Sequence, residues 1–139
     1  MAAPVVLDTG PLVAFLDRHD PLHAWACACI REFAEPMHTC EAVLSESLHL
    51  TEHCDAAGKI VFELLRSGGL SLAFDLDDHR ETVSRLLAKY QDVPMSLADA
   101  CLVRMSELHD RSRVFTVDAD FKLYRRHGRQ SIPLIYPSR

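Results

Sequence analysis

The chain has 139 residues, a length that suits one folded domain with a substantial buried core. Hydrophobic residues make up 48% of it and charged residues 25%, which is the composition of a folded globular protein and excludes a disordered chain. The formal net charge of −5 argues against a protein that coats nucleic acid through a broad basic surface, but it does not exclude a nuclease whose carboxylates are neutralised by divalent cations.

Membrane segments and disulfide bonds are not expected. The apolar stretches, such as Val5–Leu7, are far shorter than the ~20 residues that a membrane span requires, and the N-terminus lacks the basic and long apolar regions of a secretion signal. The five cysteines are odd in number and loosely spread, which favours reduced thiols, and Cys27 and Cys29 are too close together for a Cys-x₂₋₄-Cys zinc arm. We therefore expect a cytoplasmic protein with no membrane contact and no structural zinc.

Short apolar runs alternate with helical patterns along the first half of the chain. Val5–Leu7 is the first predicted strand, and Gly10-Pro11 ends it and opens a helix. The elements predicted next are a helix at about 21–33, a short strand at 37–40, and helices at about 41–53 and 56–67.

The same alternation continues in the second half. Gly68-Gly69 ends the preceding helix, Pro94 separates two more helices, and Ser96 is placed to cap the second of them. The predicted elements are a strand at 70–74, helices at about 78–90 and 96–108, and strands at 114–117 and 133–136. Strands that alternate with helices predict an α/β fold with a central, mainly parallel sheet, here in a single domain spanning residues 1–139.

Two acidic residues directly follow the two clearest strands. Asp8 comes after Val5–Leu7, and Asp118 comes after the strand at 114–117. Ligands of open parallel sheets bind beyond the carboxyl ends of the strands, so both side chains are expected in that crevice. The alternative for each residue alone is that it only caps the helix that follows.

Two further acids lie on predicted helices. Glu46 is within one turn of apolar residues on the helix at 41–53, and a glutamate buried there would have to be paired, protonated or bound to metal. Asp99 has Leu102 and Val103 one turn ahead of it on the helix at 96–108. The alternatives are an edge position for Glu46, with its carboxylate in water, and a capping box formed by Ser96 and Asp99.

The combination of these acids is more informative than any one of them. Asp8, Glu46, Asp99 and Asp118 belong to four separate elements, and a cluster of such like charges is unstable unless cations neutralise it. Carboxylate oxygens without a matching set of His or Cys residues favour Mg²⁺ or Mn²⁺ over Zn²⁺.

Four segments that contain these acids resemble, in order and spacing, the signatures of the PIN domain. They are Leu7-Asp8-Thr9-Gly10-Pro11-Leu12, Val43-Leu44-Ser45-Glu46-Ser47-Leu48, Leu97-Ala98-Asp99-Ala100 and Phe115-Thr116-Val117-Asp118-Ala119-Asp120-Phe121. The resemblance covers essentially the whole chain. It implies a three-layer, Rossmann-like fold and a metal-dependent ribonuclease, similar to the VapC toxins that an antitoxin protein blocks.

The resemblance also assigns roles to individual residues. It implies that Asp8, Glu46, Asp99 and Asp118 form the acidic, metal-binding tetrad of the catalytic site, although Asp120 could share or replace the role of Asp118. On this hypothesis a bound metal activates water for hydrolysis of a phosphodiester, and Glu46 either binds metal or orients the water. Two neighbouring hydroxyls, those of Thr9 and Thr116, are candidates to support the carboxylates or contact phosphate. For Thr116 the favoured alternative is that it is only a residue of the strand at 114–117.

A basic segment follows the last acids. Its residues are predicted to contact RNA phosphates, and they are Lys122, Arg125, Arg126 and Arg129. The alternative is an ordinary solvated helix face. We also expect a homodimer, because closed two-fold assemblies are the commonest.

Other interpretations compete with these. Asp118-Ala119-Asp120 could belong to a phosphatase that forms a phospho-aspartate, and a PIN-like scaffold could bind a protein or RNA without catalysis. His49 and His53 have the spacing of a zinc pair on a helix, but the sequence lacks the His-Glu-x-x-His pattern and Cys54 is expected to point elsewhere. Exposed or hydrogen-bonded histidines are the favoured interpretation.

Overall fold

The computed structural model describes residues 3–138. These residues form a five-stranded parallel sheet, a two-stranded antiparallel hairpin and six α-helices. The strands are Val5–Leu7 (β1), Met37–His38 (β2), Leu70–Ser71 (β3), Arg113–Phe115 (β4), Arg125–Arg126 (β5), Gln130–Ser131 (β6) and Leu134–Ile135 (β7). The helices are Thr9–Leu16 (α1), His23–Glu32 (α2), Glu41–Leu50 (α3), Ala57–Ser67 (α4), Arg80–Lys89 (α5) and Leu97–Glu107 (α6).

The sheet has the strand order β3-β2-β1-β4-β7, and the helices flank it in a three-layer arrangement. The predicted α/β fold with a mainly parallel sheet is therefore confirmed. Within residues 3–138, none of the helices is long and apolar enough to cross a membrane.

The central strand β1 and its neighbour β4 are apolar on both faces. All three residues of β1 are buried, as are Val114 and Phe115 of β4, which is typical of parallel strands that are covered on both sides by helices. The ring of Phe115 meets those of Trp25 and Phe33 edge-on, with centroids 5.2 and 5.4 Å away. These aromatic contacts fix α2 and the segment after it against the centre of the sheet.

Several predicted boundaries were too long, and one pair of strands was not predicted. Helix α3 ends at Leu50 rather than near residue 53, and the strand predicted at 70–74 is reduced to Leu70–Ser71. The basic segment was considered as a helix face, but it forms the hairpin β5-β6, whose turn contains His127 and Gly128 with φ of 52° and 82°. Gly128 adopts such a left-handed conformation at no steric cost, which is why the chain can reverse there.

The register of the central strands determines where their ends meet. Leu7 of β1 pairs with Phe115 of β4, and the backbone N–H of Asp8 donates to the carbonyl of Phe115 at 3.0 Å. The residues that follow the two strands, Asp8 and Thr116, therefore lie side by side at the carboxyl end of the sheet.

Gly10 allows the start of α1 to pack directly against the segment that follows β4. A Cβ atom at Gly10 would overlap Cγ2 of Val117, so the two segments could not keep their present separation. We expect Gly10→Ala to lower the free energy of unfolding by about 1–3 kcal/mol through overpacking. Chemical denaturation of the variant would measure this loss.

A matched control exists on another helix. A Cβ atom at Gly58 of α4 would meet nothing within 4 Å, so Gly58→Ala should be neutral or stabilising by about 0.5–1 kcal/mol. The double variant Gly10→Ala/Val117→Ala should recover part of the loss, because the obstructing methyl groups are removed. Equal stability of Gly10→Ala and the wild-type protein would contradict the close approach.

Candidate active site

Asp8 lies at the junction of β1 and α1 and is only 6% exposed. It is the N-cap of α1, and its Oδ1 accepts a hydrogen bond from the backbone N–H of Thr9 at 2.8 Å. Its other oxygen, Oδ2, accepts from the hydroxyl of Thr116 at 2.6 Å. Asp8 therefore caps the helix with one oxygen, and it also belongs to a network that capping does not require.

Thr116 connects two of the predicted acids. Its hydroxyl donates to Asp8 and accepts from the backbone N–H of Asp118 at 2.9 Å. Asp118 in turn uses its Oδ1 to accept from the backbone N–H of Asp120 at 2.9 Å, and it caps the short 3₁₀ helix Ala119–Lys122. The buried Thr116 thus holds the start of the segment after β4 against the end of β1.

Asp99 approaches the same region from α6. It lies in the first turn of that helix, where its backbone N–H donates to the hydroxyl of Ser96 at 3.0 Å, as the capping hypothesis predicted. Its Oδ2, however, accepts from the hydroxyl of Tyr124 at 2.9 Å. Tyr124 is fully buried and meets the rings of Tyr90 and Phe121 edge-on, each at 5.1 Å. The tyrosine is therefore fixed in place and orients the carboxylate.

The charges of these acids act on the pKa values of Asp8 and Asp99. Burial raises the pKa of Asp8 to about 6, against the hydrogen bonds from Thr116 and Thr9 that lower it, and the charges of Asp99 and Asp118 raise it further. Burial also raises the pKa of Asp99, where the hydrogen bond from Tyr124 opposes the rise and the charge of Asp118 adds to it. Asp8, Asp99 and Asp118, which we call the acidic triad, thus form a site in which negative charge is costly without a cation.

Glu46 is more exposed than its position in the sequence suggested. It is exposed on α3, whose buried positions are Val43, Leu44 and Ser47, so the expectation of an apolar environment for Glu46 was wrong. The helix turns its carboxylate to water, which was the alternative considered. Its role as a fourth acid depends on the motif alone and stays a prediction.

Asp118 affects the pKa values of Asp8 and Asp99 directly, and Asp120 does not. Asp118 raises the pKa of both Asp8 and Asp99, whereas Asp120 acts on the hydroxyl of Tyr124, whose pKa is raised chiefly by burial and by its hydrogen bond to Asp99. The backbone of Asp120 supports Asp118 through the hydrogen bond to its Oδ1.

Comparison with known proteins identifies the family. The PIN domain matches residues 5–126, which includes every residue of the acidic triad. The chain belongs to the PIN domain family. This PIN domain is also 29% identical over 116 residues to Ribonuclease VapC26 of Mycobacterium tuberculosis, an alignment that covers 82% of this chain and 86% of the relative. The resemblance to the PIN domain that the four sequence motifs indicated is therefore confirmed.

The donor set of this PIN domain fits Mg²⁺ or Mn²⁺. The triad offers carboxylate oxygens, and the buried hydroxyl of Thr9 beside Asp8 has no hydrogen-bond partner within the described residues. Across residues 3–138, no three of these acids bring their oxygens within 4.8 Å of one another. An ion here would therefore be held by one or two carboxylates together with water, which is how Mg²⁺ commonly binds to proteins.

The predicted basic residues have different environments in the PIN domain. Lys122 and Arg129 are exposed, and the Nζ of Lys122 lies 4.1 Å from the centre of the Tyr136 ring. Arg125 is half-buried and donates to the carbonyl of Lys122 at 2.8 Å. Arg126 is 8% exposed and donates to two backbone carbonyls, that of Ser106 in α6 at 3.1 Å and that of Asp110 just after α6 at 2.7 Å. Arg126 thus holds the hairpin in place and is not free to bind phosphate, which corrects its predicted role.

Sequence reasoning missed a further basic residue near the hairpin. Lys89, at the end of α5, donates to the carbonyl of Gly128 at 3.1 Å and lies 5.2 Å from the centre of the Tyr90 ring. It is 39 positions away from Gly128 in sequence, so no local pattern connects it to the hairpin.

Proposed function

We propose that this PIN domain is a divalent-metal-dependent endoribonuclease that hydrolyses RNA phosphodiesters and serves as the toxin of a toxin–antitoxin pair. The observation that carries the proposal is the acidic triad, which gathers Asp8 and Asp118 at the carboxyl ends of β1 and β4 with Asp99 of α6. Burial and the neighbouring carboxylates make the negative charge of Asp8 and Asp99 costly unless a cation binds there. The name of the relative, a ribonuclease, supports RNA as the substrate.

The triad would hold the metal, with Asp8 as the central ligand, Asp99 or Asp118 as the second carboxylate, and water molecules linking the ion to the remaining acid. When bound, Mg²⁺ or Mn²⁺ supplies Lewis-acid activation of water and neutralises charge on the phosphodiester. Glu46 is proposed to bind metal or to orient the water as a general base from the exposed face of α3.

The chain's other groups position the carboxylates. The hydroxyl of Thr116 and the N–H of Thr9 hold the two oxygens of Asp8, so only their remaining lone pairs are directed at a ligand. Tyr124 does the same for one oxygen of Asp99. Such fixed carboxylates require little reorganisation as charge develops on the phosphate during hydrolysis.

RNA is proposed to bind across the hairpin β5-β6, where the exposed Lys89, Lys122 and Arg129 and the half-buried Arg125 offer positive charge. Phosphate contacts of this kind position the strand without reading its sequence. They would offset the repulsion that a chain of net charge −5 exerts on RNA.

Neutralising this surface should reduce the salt dependence of RNA binding. For the double variant Lys122→Gln/Arg129→Gln, we expect weaker binding and a slope of log K against log salt that is smaller by about 0.7 for each phosphate that is no longer neutralised. Fluorescence anisotropy with a single-stranded RNA, in EDTA to prevent cleavage, would measure both quantities. Lys59→Gln is the matched control, since Lys59 is an exposed lysine on α4, which contacts β3 at the far edge of the sheet. An unchanged slope in the double variant would remove the hairpin from the proposed RNA surface.

An antitoxin protein is the proposed partner, and a homodimer in the cytoplasm is the proposed state. A short neighbouring reading frame that encodes a DNA-binding N-terminal half would support the toxin–antitoxin assignment. Co-expression of the two proteins should then suppress both cleavage and growth inhibition.

The direct test is cleavage of a panel of tRNA and rRNA fragments with Mg²⁺ or Mn²⁺. We expect 5′- or 3′-phosphate fragments that are absent in EDTA, and no phospho-enzyme at any time during the reaction. A stable phospho-aspartate would indicate the phosphatase chemistry instead. No cleavage, together with no increase in melting temperature on addition of manganese, would indicate a non-catalytic scaffold.

A further inference from the structure

A second group of metal-ligating side chains lies away from the acidic triad. Oxygen, nitrogen and sulfur atoms of Asp17, His53 and Cys54 all lie within 4.8 Å of one another. Asp17 follows the last residue of α1, at the end opposite to Asp8. A helix of eight residues is about 12 Å long, so this group is well separated from the triad.

The local structure explains why two consecutive residues can both face Asp17. Helix α3 ends at Leu50, so the helical spacing that was expected to turn Cys54 away from His53 does not apply after that point. The chain instead makes a turn in which the N–H of Cys54 donates to the carbonyl of Thr51 at 2.9 Å. This turn presents His53 and Cys54 together towards the end of α1.

We propose that Asp17, His53 and Cys54 form a zinc site that ties the turn after α3 to the end of α1. A tetrahedral zinc ion with ligand bonds of about 2.0–2.3 Å places its ligand atoms about 3.3–3.8 Å apart. The Nε2 of His53 and the Oδ2 of Asp17 are already separated by 3.3 Å. Because all three atoms lie within 4.8 Å of one another, a displacement of about 1 Å in the exposed side chain of His53 or at Cys54 would bring every pair to the separation that zinc requires.

The chemistry of the donors distinguishes this site from the triad. A thiolate, an imidazole and a carboxylate suit zinc, whereas a set of carboxylates suits magnesium or manganese. The hydrogen bond between His53 and Asp17 would account for two of the residues without a metal, but it does not account for the thiol of Cys54 beside them.

The surroundings leave access for an ion and a position for a fourth ligand. The three residues line a surface pocket of about 490 Å³, together with Arg18, His19 and Asp55. The side chain of His53 is 65% exposed and that of Asp17 is 18% exposed, so ions can reach the site from solvent. Water from this pocket, or the exposed imidazole of His19 that also lines it, would supply the fourth ligand.

Cobalt substitution tests the site through a readout that does not depend on nuclease activity. We expect the full-length chain, carrying Asp8→Asn to weaken metal binding at the triad, to bind one Co²⁺ ion with the near-ultraviolet charge-transfer band of a cobalt–thiolate bond. Zn²⁺ should abolish the band by displacing cobalt. Cys54→Ser should lose the band, and His53→Ala should weaken cobalt binding roughly tenfold or more.

Two matched variants serve as controls. His49→Ala removes an exposed histidine near the end of α3, one that pairs with Glu52 at 3.8 Å, and Cys29→Ser removes another half-buried thiol. Both should keep the band. A band that persists in Cys54→Ser, or the absence of any thiolate band in the parent chain, would overturn the proposal.

A second measurement covers the case of a weak optical signal. Zinc at about a hundred times its Kd should raise the melting temperature of the parent chain by roughly 5–10 °C, and it should leave that of Cys54→Ser unchanged. Equal shifts in the two proteins would also overturn the site. Because neither readout involves RNA, failure of the nuclease proposal would leave both results interpretable.

Discussion

Replacing Asp8 with Asn is expected to abolish metal-dependent RNA cleavage, with a loss in rate of roughly three orders of magnitude or more. Asp8 has the most central position in the triad, because it is buried and the charges of both Asp99 and Asp118 raise its pKa. Thr116 and Thr9 hold its two oxygens by hydrogen bonds. The substitution keeps the shape of the side chain and one accepting oxygen, so α1 remains capped. Cleavage rates of a labelled RNA with saturating manganese would measure the loss.

The comparison needs a variant that changes charge equally without touching the site. Asp78→Asn removes one exposed carboxylate in the 3₁₀ helix Asp77–His79 before α5 and should cleave at the wild-type rate. Circular dichroism and thermal melting of Asp8→Asn should show a folded protein. Undiminished cleavage by Asp8→Asn would refute the assignment of the metal site to the triad.

Those parts of the site that follow directly from strand ends could be predicted from the sequence. Asp8 and Asp118 each come after a short apolar run, and parallel strands deliver their carboxyl ends to one edge of the sheet. The contact between Asp8 and Thr116 adds information that the sequence lacks, because it depends on the register in which Leu7 pairs with Phe115. A slip of one residue would have directed Thr116 to the opposite face.

Parts that depend on helix rotation and on distant contacts were harder to predict. Glu46 was assigned to the apolar side of its helix, but Leu50, one turn further along, is 50% exposed, so that stripe does not face the core. The hydrogen bond from Tyr124 to Asp99 joins residues 25 positions apart, and no spacing in the sequence signals it. A buried tyrosine must find a partner for its hydroxyl, but only the fold determines which one.

The hairpin β5-β6 shows a different limit. Its strands have two residues each, and their sequence of mixed basic and polar side chains has no alternation that would mark a strand. The signal that was available is Gly128, which follows His127 and permits the left-handed turn. Arg126 was therefore grouped with the phosphate-binding residues by charge alone, whereas its burial against α6 depends on the hairpin.

Without metal, the wild-type protein is expected to lose stability as the pH rises from about 4 to 7, by about 2–2.5 kcal/mol relative to Asp8→Asn. The pKa of Asp8 is raised in the folded protein to about 6 from an ordinary value of 3.8, chiefly by burial. The folded state therefore binds this proton more tightly than the unfolded chain does. The favourable contribution is about 3 kcal/mol well below pH 4, at about 1.4 kcal/mol for each unit of difference between the two pKa values, and most of it is still present at pH 4. It is lost as the pH passes through 6.

Urea denaturation in EDTA at pH 4, 5, 6 and 7 would measure this difference, because the other titrating groups are shared by the two proteins and largely cancel. Magnesium or manganese should then restore stability to the wild-type protein above pH 6, where the ionised triad attracts a cation, and should have a much smaller effect on Asp8→Asn. The two effects have a common origin, since the negative charge that burial makes costly is also what would bind the metal. Stability curves that remain parallel from pH 4 to 7 would show that Asp8 is not held in a desolvated, repulsive environment, and the electrostatic argument for a metal at the triad would fail with them.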